Sequence, residues 1–224
     1  MKVTWLGQAG LLIVSETATI MIDPYFSDSV KERSDPNKAR RMPIDARFFM
    51  VEPDFMLFTH NHLDHYDPLT APIYLEQKKP MTVLAPSSVL AEARKCGQKQ
   101  HNYVQMNRLT RWTEKGFRFT SVKAEHSDLY AVGFIIEELS TGKKLYVTGD
   151  TLYNEQIFDD IPHGIDVIFL PINGAGNNMN ESDALDFYER SGAKKAVPIH
   201  FGMFDDLRPT LFETTPELYG DISI

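Results

Sequence analysis

Three histidines and one aspartate lie within six consecutive residues, at His60, His62, Asp64 and His65. Imidazole nitrogens and carboxylate oxygens are ligands that Zn²⁺, Mn²⁺ and Fe²⁺ accept, and one loop can supply several of them. A single histidine in a sequence usually has a structural or surface role. The density of this cluster therefore indicates a metal site rather than a solvated polar loop.

Four apolar runs in the sequence each end close to a candidate ligand. The run 55–58 precedes the histidine cluster, and three later runs end at or just before His126, Asp150 and His200. The length and the aromatic and β-branched content of these runs are typical of strands. Side chains at the ends of separate strands can converge on one edge of a sheet assembly. The sequence therefore predicts that seven potential ligands meet at one place.

The remaining elements have to position these strand ends. Short β-rich runs near the N-terminus predict an antiparallel meander, and the middle of the chain predicts a second one. Residues 27–53 are rich in proline and basic side chains, which predicts a long surface loop. The strands are predicted at 3–6, 11–14, 18–22, 55–58, 81–85, 104–106, 117–122, 131–136, 144–148, 165–170 and 195–199. The helices are predicted at 67–75, 86–96 and 181–191.

With all seven candidates present in order, the chain resembles the metallo-β-lactamase superfamily, whose His-x-His-x-Asp-His motif residues 60–65 match. The resemblance implies an α/β (α+β) fold, a four-layer αββα sandwich of two mixed β-sheets flanked by helices. It also implies two divalent ions, Zn²⁺ or Mn²⁺. The implied ligands are His60, His62 and His126 for the first ion, Asp64, His65 and His200 for the second, and Asp150 between them.

Within that superfamily, the chain is most similar to the branch that includes ascorbate-6-phosphate lactonase. The segments that carry this likeness are Trp5–Gly10, Asp23-Pro24, Thr148–Thr151 and Pro198–Phe201. The lactonase is considerably longer, and its counterpart of the loop 173–180 is only loosely similar. The class of reaction therefore transfers better than the substrate.

The resemblance implies hydrolysis, because a pair of divalent ions lowers the pKa of a shared water and stabilises the oxyanion that forms. Asp64 is the candidate proton acceptor and donor, in addition to being a ligand. We expect a small lactone or ester, with or without a phosphate group, as substrate. One alternative is a phosphodiesterase acting on a small or lipid-like phosphodiester. Another is a non-catalytic metal-binding protein, although a structural zinc site usually closes its coordination with four ligands.

Five further residues are candidates for supporting the ligands or lining the substrate cleft: Asp23, Tyr25, Arg41, Asn173 and Asn177. Asp23 ends a predicted strand, where an aspartate either forms a turn or orients a ligand histidine. Arg41 belongs to the basic segment 27–53, which either binds an anionic substrate or is simply solvated. Asn173 and Asn177 either contact substrate or occupy left-handed loop positions.

Composition narrows the classes of partner. A chain of 224 residues fits a single domain spanning 1–224. The formal net charge of −8 opposes binding to a nucleic-acid backbone. No window reaches the apolar length of a membrane span. The single cysteine, Cys96, cannot form an internal disulfide, which favours a reducing compartment. We therefore predict a cytoplasmic enzyme that binds a small molecule and neither nucleic acid nor membrane. The sequence does not indicate an oligomeric state.

Overall fold

The structure is a computed structural model that describes residues 1–224. Its strands are β1 (Lys2–Gly7), β2 (Gly10–Val14), β3 (Thr19–Ile22), β4 (Phe55–Leu57), β5 (Thr82–Ala85), β6 (Asn102–Gln105), β7 (Arg111–Glu114), β8 (Phe117–Lys123), β9 (Val132–Glu138), β10 (Lys143–Val147), β11 (Val167–Pro171), β12 (Lys195–Ile199) and β13 (Asp221–Ile222). Its α-helices are α1 (Ser29–Arg33), α2 (Ala71–Leu75), α3 (Ser87–Cys96) and α4 (Glu181–Ser191). Two 3₁₀-helices span Ala46–Met50 and Glu155–Ile157.

The strands form two sheets. One has seven strands in the order β13-β1-β2-β3-β4-β5-β6, and the other has six in the order β12-β11-β10-β9-β8-β7. In the first sheet β3 to β6 run parallel and the other pairs are antiparallel. In the second sheet β10, β11 and β12 run parallel and the other pairs are antiparallel. Both sheets are mixed, as the resemblance implied.

Alternating side chains of β4 and of the residue that follows it show how the layers stack. Phe55 and Leu57 belong to a core of 37 buried residues that draws on both sheets, whereas Met56 and Phe58 belong to a second core of 17. Successive side chains of a strand point to opposite faces of the sheet. The second core also contains Tyr74 of α2 and the inner face of α3. On the other side of the molecule α4 packs against β11. The predicted αββα sandwich is therefore confirmed.

The parallel strands place the candidate ligands together. Asp23 follows β3, His60 follows β4, Asp150 follows β10 and His200 follows β12. Neighbouring parallel strands end at the same edge of their sheet, and the two sheets face each other across the larger core. The chemistry-bearing residues therefore lie at one end of the sandwich, where both sheets terminate.

Two local predictions differ from the structure, and two strands were not predicted. The segment 27–53, predicted as loop, contains α1 and the 3₁₀-helix Ala46–Met50. The helix expected from residue 67 begins at Ala71, because the Asp67 carboxylate accepts hydrogen bonds from the Leu69 N–H and the Thr70 hydroxyl and so forms a turn first. Strands β7 and β13 were not predicted. The first is an edge strand whose residues are exposed or half-buried, and the second has two residues.

No helix of the structure is both long enough and apolar enough to cross a membrane.

Candidate metal centre

The structure brings all seven predicted ligands into two adjoining groups. The first group contains His60, His62, His126 and Asp150, and the second contains Asp64, His65 and His200. Within each group the ligand atoms lie within 4.8 Å of one another. Four of the seven come from the loop after β4, and the other three arrive from the second sheet. Such a spacing lets one ion contact several side chains of a group at once.

Asp150 connects the two groups. Asp150 is a member of the first group, but its carboxylate also contacts the second. Its Oδ1 lies 3.2 Å from His65 Nε2, and its Oδ2 lies 3.2 Å from His200 Nε2. Asp150 is thus the one carboxylate shared between both groups, the position that the resemblance implied for a bridging ligand.

A glycine lets the Asp150 segment approach the histidine loop. Gly149 has φ +64°, and a Cβ built there would lie 2.8 Å from the Thr59 Cβ. A larger residue would be strained by the backbone angle and would clash with the residue that precedes His60. The close contact between β10 and the end of β4 therefore depends on glycine at this position.

Asp23 orients the second group from beneath. Its Oδ2 lies 2.8 Å from His65 Nδ1, and its Oδ1 accepts a hydrogen bond of 2.9 Å from the Thr59 N–H. Both the carboxylate and the imidazole are buried. With Nδ1 engaged by Asp23, His65 presents Nε2 to Asp64 and Asp150. A carboxylate on the far nitrogen of a ligand histidine commonly fixes its ring and tautomer.

Two polar residues that were not predicted hold the first group in place. Asp128 accepts hydrogen bonds from the Asn61 N–H at 3.2 Å and from the Ser88 hydroxyl at 2.6 Å, which ties the histidine loop to α3. Asn178 donates from its amide to Asp150 Oδ2 at 2.8 Å. Asp128 stands two residues after His126, and Asn178 lies in the loop 173–180, which is rich in glycine and asparagine. Of the two, only Asn178 lies in a segment that the sequence analysis connected with the substrate cleft.

The unpaired atoms of the site fit a metal ion. His60 Nε2 is buried and has no hydrogen-bond partner within the protein, and the buried His65 Nε2 and Asp150 Oδ1 lie 3.2 Å apart without the geometry of a hydrogen bond. A buried polar atom without a partner costs free energy that a bound cation would offset. All three atoms belong to the predicted ligands and are of the types that Zn²⁺ and Mn²⁺ accept. The residues present therefore fit a divalent cation.

The electrostatic state of the first group suits metal binding. Burial and the neighbouring His65 hold the pKa of His60 well below its usual value, and burial together with His126 lowers the pKa of His62. Both imidazoles are therefore neutral near pH 7, with a lone pair available to a metal. This half of the site needs to release few protons when it binds an ion.

The second group is charged when it holds no metal. Burial disfavours the imidazolium of His200, but the carboxylates of Asp150 and Asp64 outweigh burial and raise its pKa to about 9. The pKa of His65 is likewise raised against burial, by Asp150 and Asp23. Burial opposes ionisation of Asp64 and Asp150, but the neighbouring histidines hold both of their pKa values well below the usual range. Metal binding here must displace imidazolium protons.

We expect the metal-free protein to lose stability between about pH 6.5 and pH 9. A histidine whose pKa is raised by folding stabilises the folded state fully below its unfolded pKa, and that contribution disappears as the pH rises through the folded pKa, about 9 for His200. His65 acts in the same direction. The loss should be on the order of a few kcal/mol, measured by urea unfolding in a chelating buffer.

The matched control for this pH series is His200→Gln, which removes one of the two titrating groups. Its free energy of unfolding should change less over the same pH interval than that of the unsubstituted protein. Equal stability of the unsubstituted protein at both ends of the interval would contradict the charged state assigned to the second group.

A cleft of about 380 Å³ opens onto both groups. Its floor contains His62, Asp64, Asp150 and His200, so ligands of each group are accessible from it. The other lining residues are Val30, Ser34, Lys38, Asn61, Leu63, Asn173, Ala175, Gly176, Asn178 and Phe204. The wall therefore combines a few apolar side chains with amides, a hydroxyl and one lysine.

Only one of the four predicted lining residues, Asn173, lies in this cleft. Tyr25 is buried beneath it, packed edge-on against Phe204. Arg41 points to the surface, where its guanidinium pairs with Asp206 at 2.5 Å. Asn177 has φ +65°, and its backbone carbonyl lies 3.2 Å from His126 Nδ1. The left-handed loop interpretation fits Asn177, and Lys38 replaces Arg41 as the cation of the cleft.

The fold and this site together define a metal-dependent hydrolase of the metallo-β-lactamase superfamily. Residues 18–201 match the family described as the beta-lactamase superfamily domain, and the chain belongs to that family. A UPF0173 metal-dependent hydrolase of Enterococcus faecalis is 32% identical over 185 residues, which cover 75% of this chain and 77% of the relative. A UPF0173 protein of Pyrococcus furiosus is 26% identical over 216 residues, which cover 95% of this chain and 89% of the relative.

A solved structure shows the same fold over the whole chain. The crystal structure of a possible metal-dependent hydrolase from Veillonella parvula matches with a TM-score of 0.79 and 15% identity, covering 100% of this chain and 99% of that one. At that level of identity the likeness concerns the fold alone.

Proposed function

We propose that the chain hydrolyses a small, anionic lactone or ester with two divalent ions held by the seven clustered side chains. One observation carries the proposal: four of those side chains, from both groups, form the floor of an open cleft. A structural metal site is normally closed by its own ligands, whereas a catalytic one remains accessible to water and substrate. Hydrolysis is the reaction that such an arrangement supports.

The proposed ligands of the first ion are His60, His62 and His126, and those of the second are Asp64, His65 and His200, with Asp150 shared. Zn²⁺ or Mn²⁺ bound here would supply acidification of water and stabilisation of negative charge on oxygen. The protein itself holds these ligands at fixed positions through the hydrogen bonds of Asp23, Asp128 and Asn178.

Asp64 is the proposed proton carrier. Its carboxylate lines the cleft and is ionised at neutral pH, because the neighbouring His200 and His65 hold its pKa low against burial. An ionised carboxylate at this position can accept a proton from the attacking water and deliver it to the leaving oxygen when the acyl–oxygen bond breaks. The net reaction adds one water and yields a carboxylic acid and an alcohol.

An anionic group on the substrate is favoured by Lys38. This side chain lines the cleft, is exposed, and forms no salt bridge within the chain. Apart from the histidines, it is the only cationic residue of the lining, in a protein whose formal net charge is −8. An unpaired ammonium in an otherwise acidic protein attracts a phosphate or carboxylate on the substrate.

We expect Lys38→Ala to raise the KM for a phosphorylated or carboxylated substrate by about 10-fold, the size of one lost charge-assisted contact. The kcat and the KM for an uncharged analogue should change little. The control is Lys31→Ala, which removes an exposed lysine of α1 outside the cleft. Equal effects on charged and uncharged substrates would contradict a role for Lys38 in binding an anion.

A panel of substrates tests the proposed function. Lactones, carboxylic esters and small phosphodiesters would be offered to one preparation loaded with Zn²⁺ or with Mn²⁺, and its metal content would be measured in parallel. Turnover of lactones or esters that a chelator abolishes is the expected result. Turnover of phosphodiesters alone would favour the phosphodiesterase alternative, for which Lys38 is equally suited. Metal binding without any hydrolysis would favour the non-catalytic alternative.

A further inference from the structure

Gln8 contacts two of the predicted ligands, although it is not itself one of the seven. It lies between β1 and β2, is 1% exposed, and is not part of the cleft lining. Its side-chain Nε2 donates to Asp64 Oδ2 at 2.8 Å and lies 3.1 and 3.2 Å from the two ring nitrogens of His200. One amide group therefore contacts two of the three members of the second group.

The backbone around Gln8 is fixed by the same part of the molecule. The Gln8 carbonyl accepts hydrogen bonds of 2.9 Å from the His200 N–H and from the Trp5 indole N–H. Gln8 itself has φ +49°, a conformation that is costly for a residue with a side chain. The surrounding hydrogen bonds maintain this conformation, and it directs the amide towards Asp64.

The two oxygens of Asp64 have different surroundings. Oδ2 receives the Gln8 hydrogen bond and lies 3.2 Å from His200 Nε2. Oδ1 has no hydrogen-bond partner within the chain, and Asp64 lines the cleft. An amide N–H bound to Oδ2 restricts rotation of the carboxylate, so one oxygen faces the second group and the other remains free for proton transfer.

We propose that Gln8 is a positioning residue for the second group, whose amide fixes Asp64 with Oδ2 towards the metal ligands and Oδ1 towards the substrate. Its part in proton transfer rests on the proposed function, whereas its part in metal binding does not. Gln8 makes no hydrogen bond to a member of the first group, so its removal should affect one of two bound ions. Loss of a residue that orients a ligand typically weakens metal binding by about 10- to 100-fold.

The test is a metal titration of the metal-free full chain, monitored by calorimetry with Zn²⁺ and with Mn²⁺. Gln8→Asn keeps an amide and tolerates positive φ, but its shorter side chain should not reach Asp64. Gln8→Met keeps the length and removes the donor. Both variants should bind one equivalent about 10- to 100-fold more weakly and the other as tightly as the unsubstituted chain.

Gln77→Met provides the matched control, since Gln77 is a half-buried glutamine that donates to the Val51 carbonyl away from the site. It should lower Tm and leave both metal affinities unchanged. In an Asp64→Ala background, which removes the acceptor of the Gln8 hydrogen bond, Gln8→Asn should cause a smaller further loss of metal affinity than it does in the unsubstituted chain. In assays with a substrate that the unsubstituted chain hydrolyses, the kcat of the Gln8 variants should be about 10- to 100-fold lower and the KM unchanged.

Unchanged titration in both Gln8 variants would overturn the proposal. Equal weakening of both equivalents would also overturn it, because Gln8 would then support only the fold. A chain that binds metal normally but hydrolyses nothing would remove the proposed function, and the titration would still decide the role of Gln8 in metal binding.

Discussion

Asp64→Asn is expected to lower kcat by about 10²- to 10⁴-fold, the usual contribution of a positioned acid or base. The substitution keeps the shape of the side chain and removes its ability to accept a proton. The amide oxygen can still accept the Gln8 hydrogen bond, which would direct the new NH₂ group towards the cleft, where Asp64 Oδ1 now lies without a partner. A proton donor that cannot become a base then faces the substrate.

Loss of metal has to be separated from loss of the proton carrier in this variant. Each preparation would therefore be assayed at saturating Zn²⁺ or Mn²⁺, with its metal content measured on the same sample. Asp159→Asn, a substitution of an aspartate in the loop after the 3₁₀-helix Glu155–Ile157, serves as the control and should retain full activity. A metal-replete Asp64→Asn enzyme that works at nearly the original rate would show that Asp64 carries no proton.

The ligands could be predicted from sequence because metal chemistry restricts residue type. Few side chains can bind Zn²⁺ or Mn²⁺, so histidines and aspartates at the ends of apolar runs stand out without any knowledge of the fold. His126, Asp150 and His200 are each far from the histidine loop in the chain, yet each follows a recognisable strand. The parallel strands then bring them to one edge of the sandwich.

The residues that support the ligands carry no comparable restriction. Gln8 and Asp128 act through side-chain hydrogen bonds that many polar residues could make, so their types do not reveal their roles. Only the packing of distant segments shows that the Gln8 amide reaches Asp64, 56 residues away. The same reason explains why the sequence selected Arg41 instead of Lys38 as the cation of the cleft. Both occur in one basic segment, and Arg41 is turned outwards by Asp206.

Asp150→Asn is expected to weaken binding of both metal equivalents, by more than the roughly 10- to 100-fold that loss of an orienting residue costs. Asp150 belongs to the first group and also contacts His65 and His200 of the second, so no other side chain has an equivalent role. Its amide replacement has one oxygen, which the Asn178 amide N–H would occupy. The nitrogen would then take the place of Oδ1 and face His65, where it cannot bind a cation.

The same substitution should also destabilise the metal-free protein. Asp150 is buried, and its negative charge faces the two imidazolium rings of the second group. Removing one partner from a buried ion pair typically costs about 3–5 kcal/mol, because the remaining charge is left without compensation. Elemental analysis, calorimetric titration and urea unfolding of the chelated protein would measure these effects.

Asp166→Asn separates the two consequences. Asp166 is a half-buried aspartate that pairs with Lys194 at 2.7 Å and lies outside both groups, so its loss should lower stability modestly and leave metal stoichiometry unchanged. Gln8→Asn should weaken binding of one equivalent, whereas Asp150→Asn should weaken binding of both. An Asp150→Asn protein that still holds two tightly bound ions would contradict the shared position of this carboxylate. In that case the two groups would be independent sites, and a water shared between them would have no structural basis.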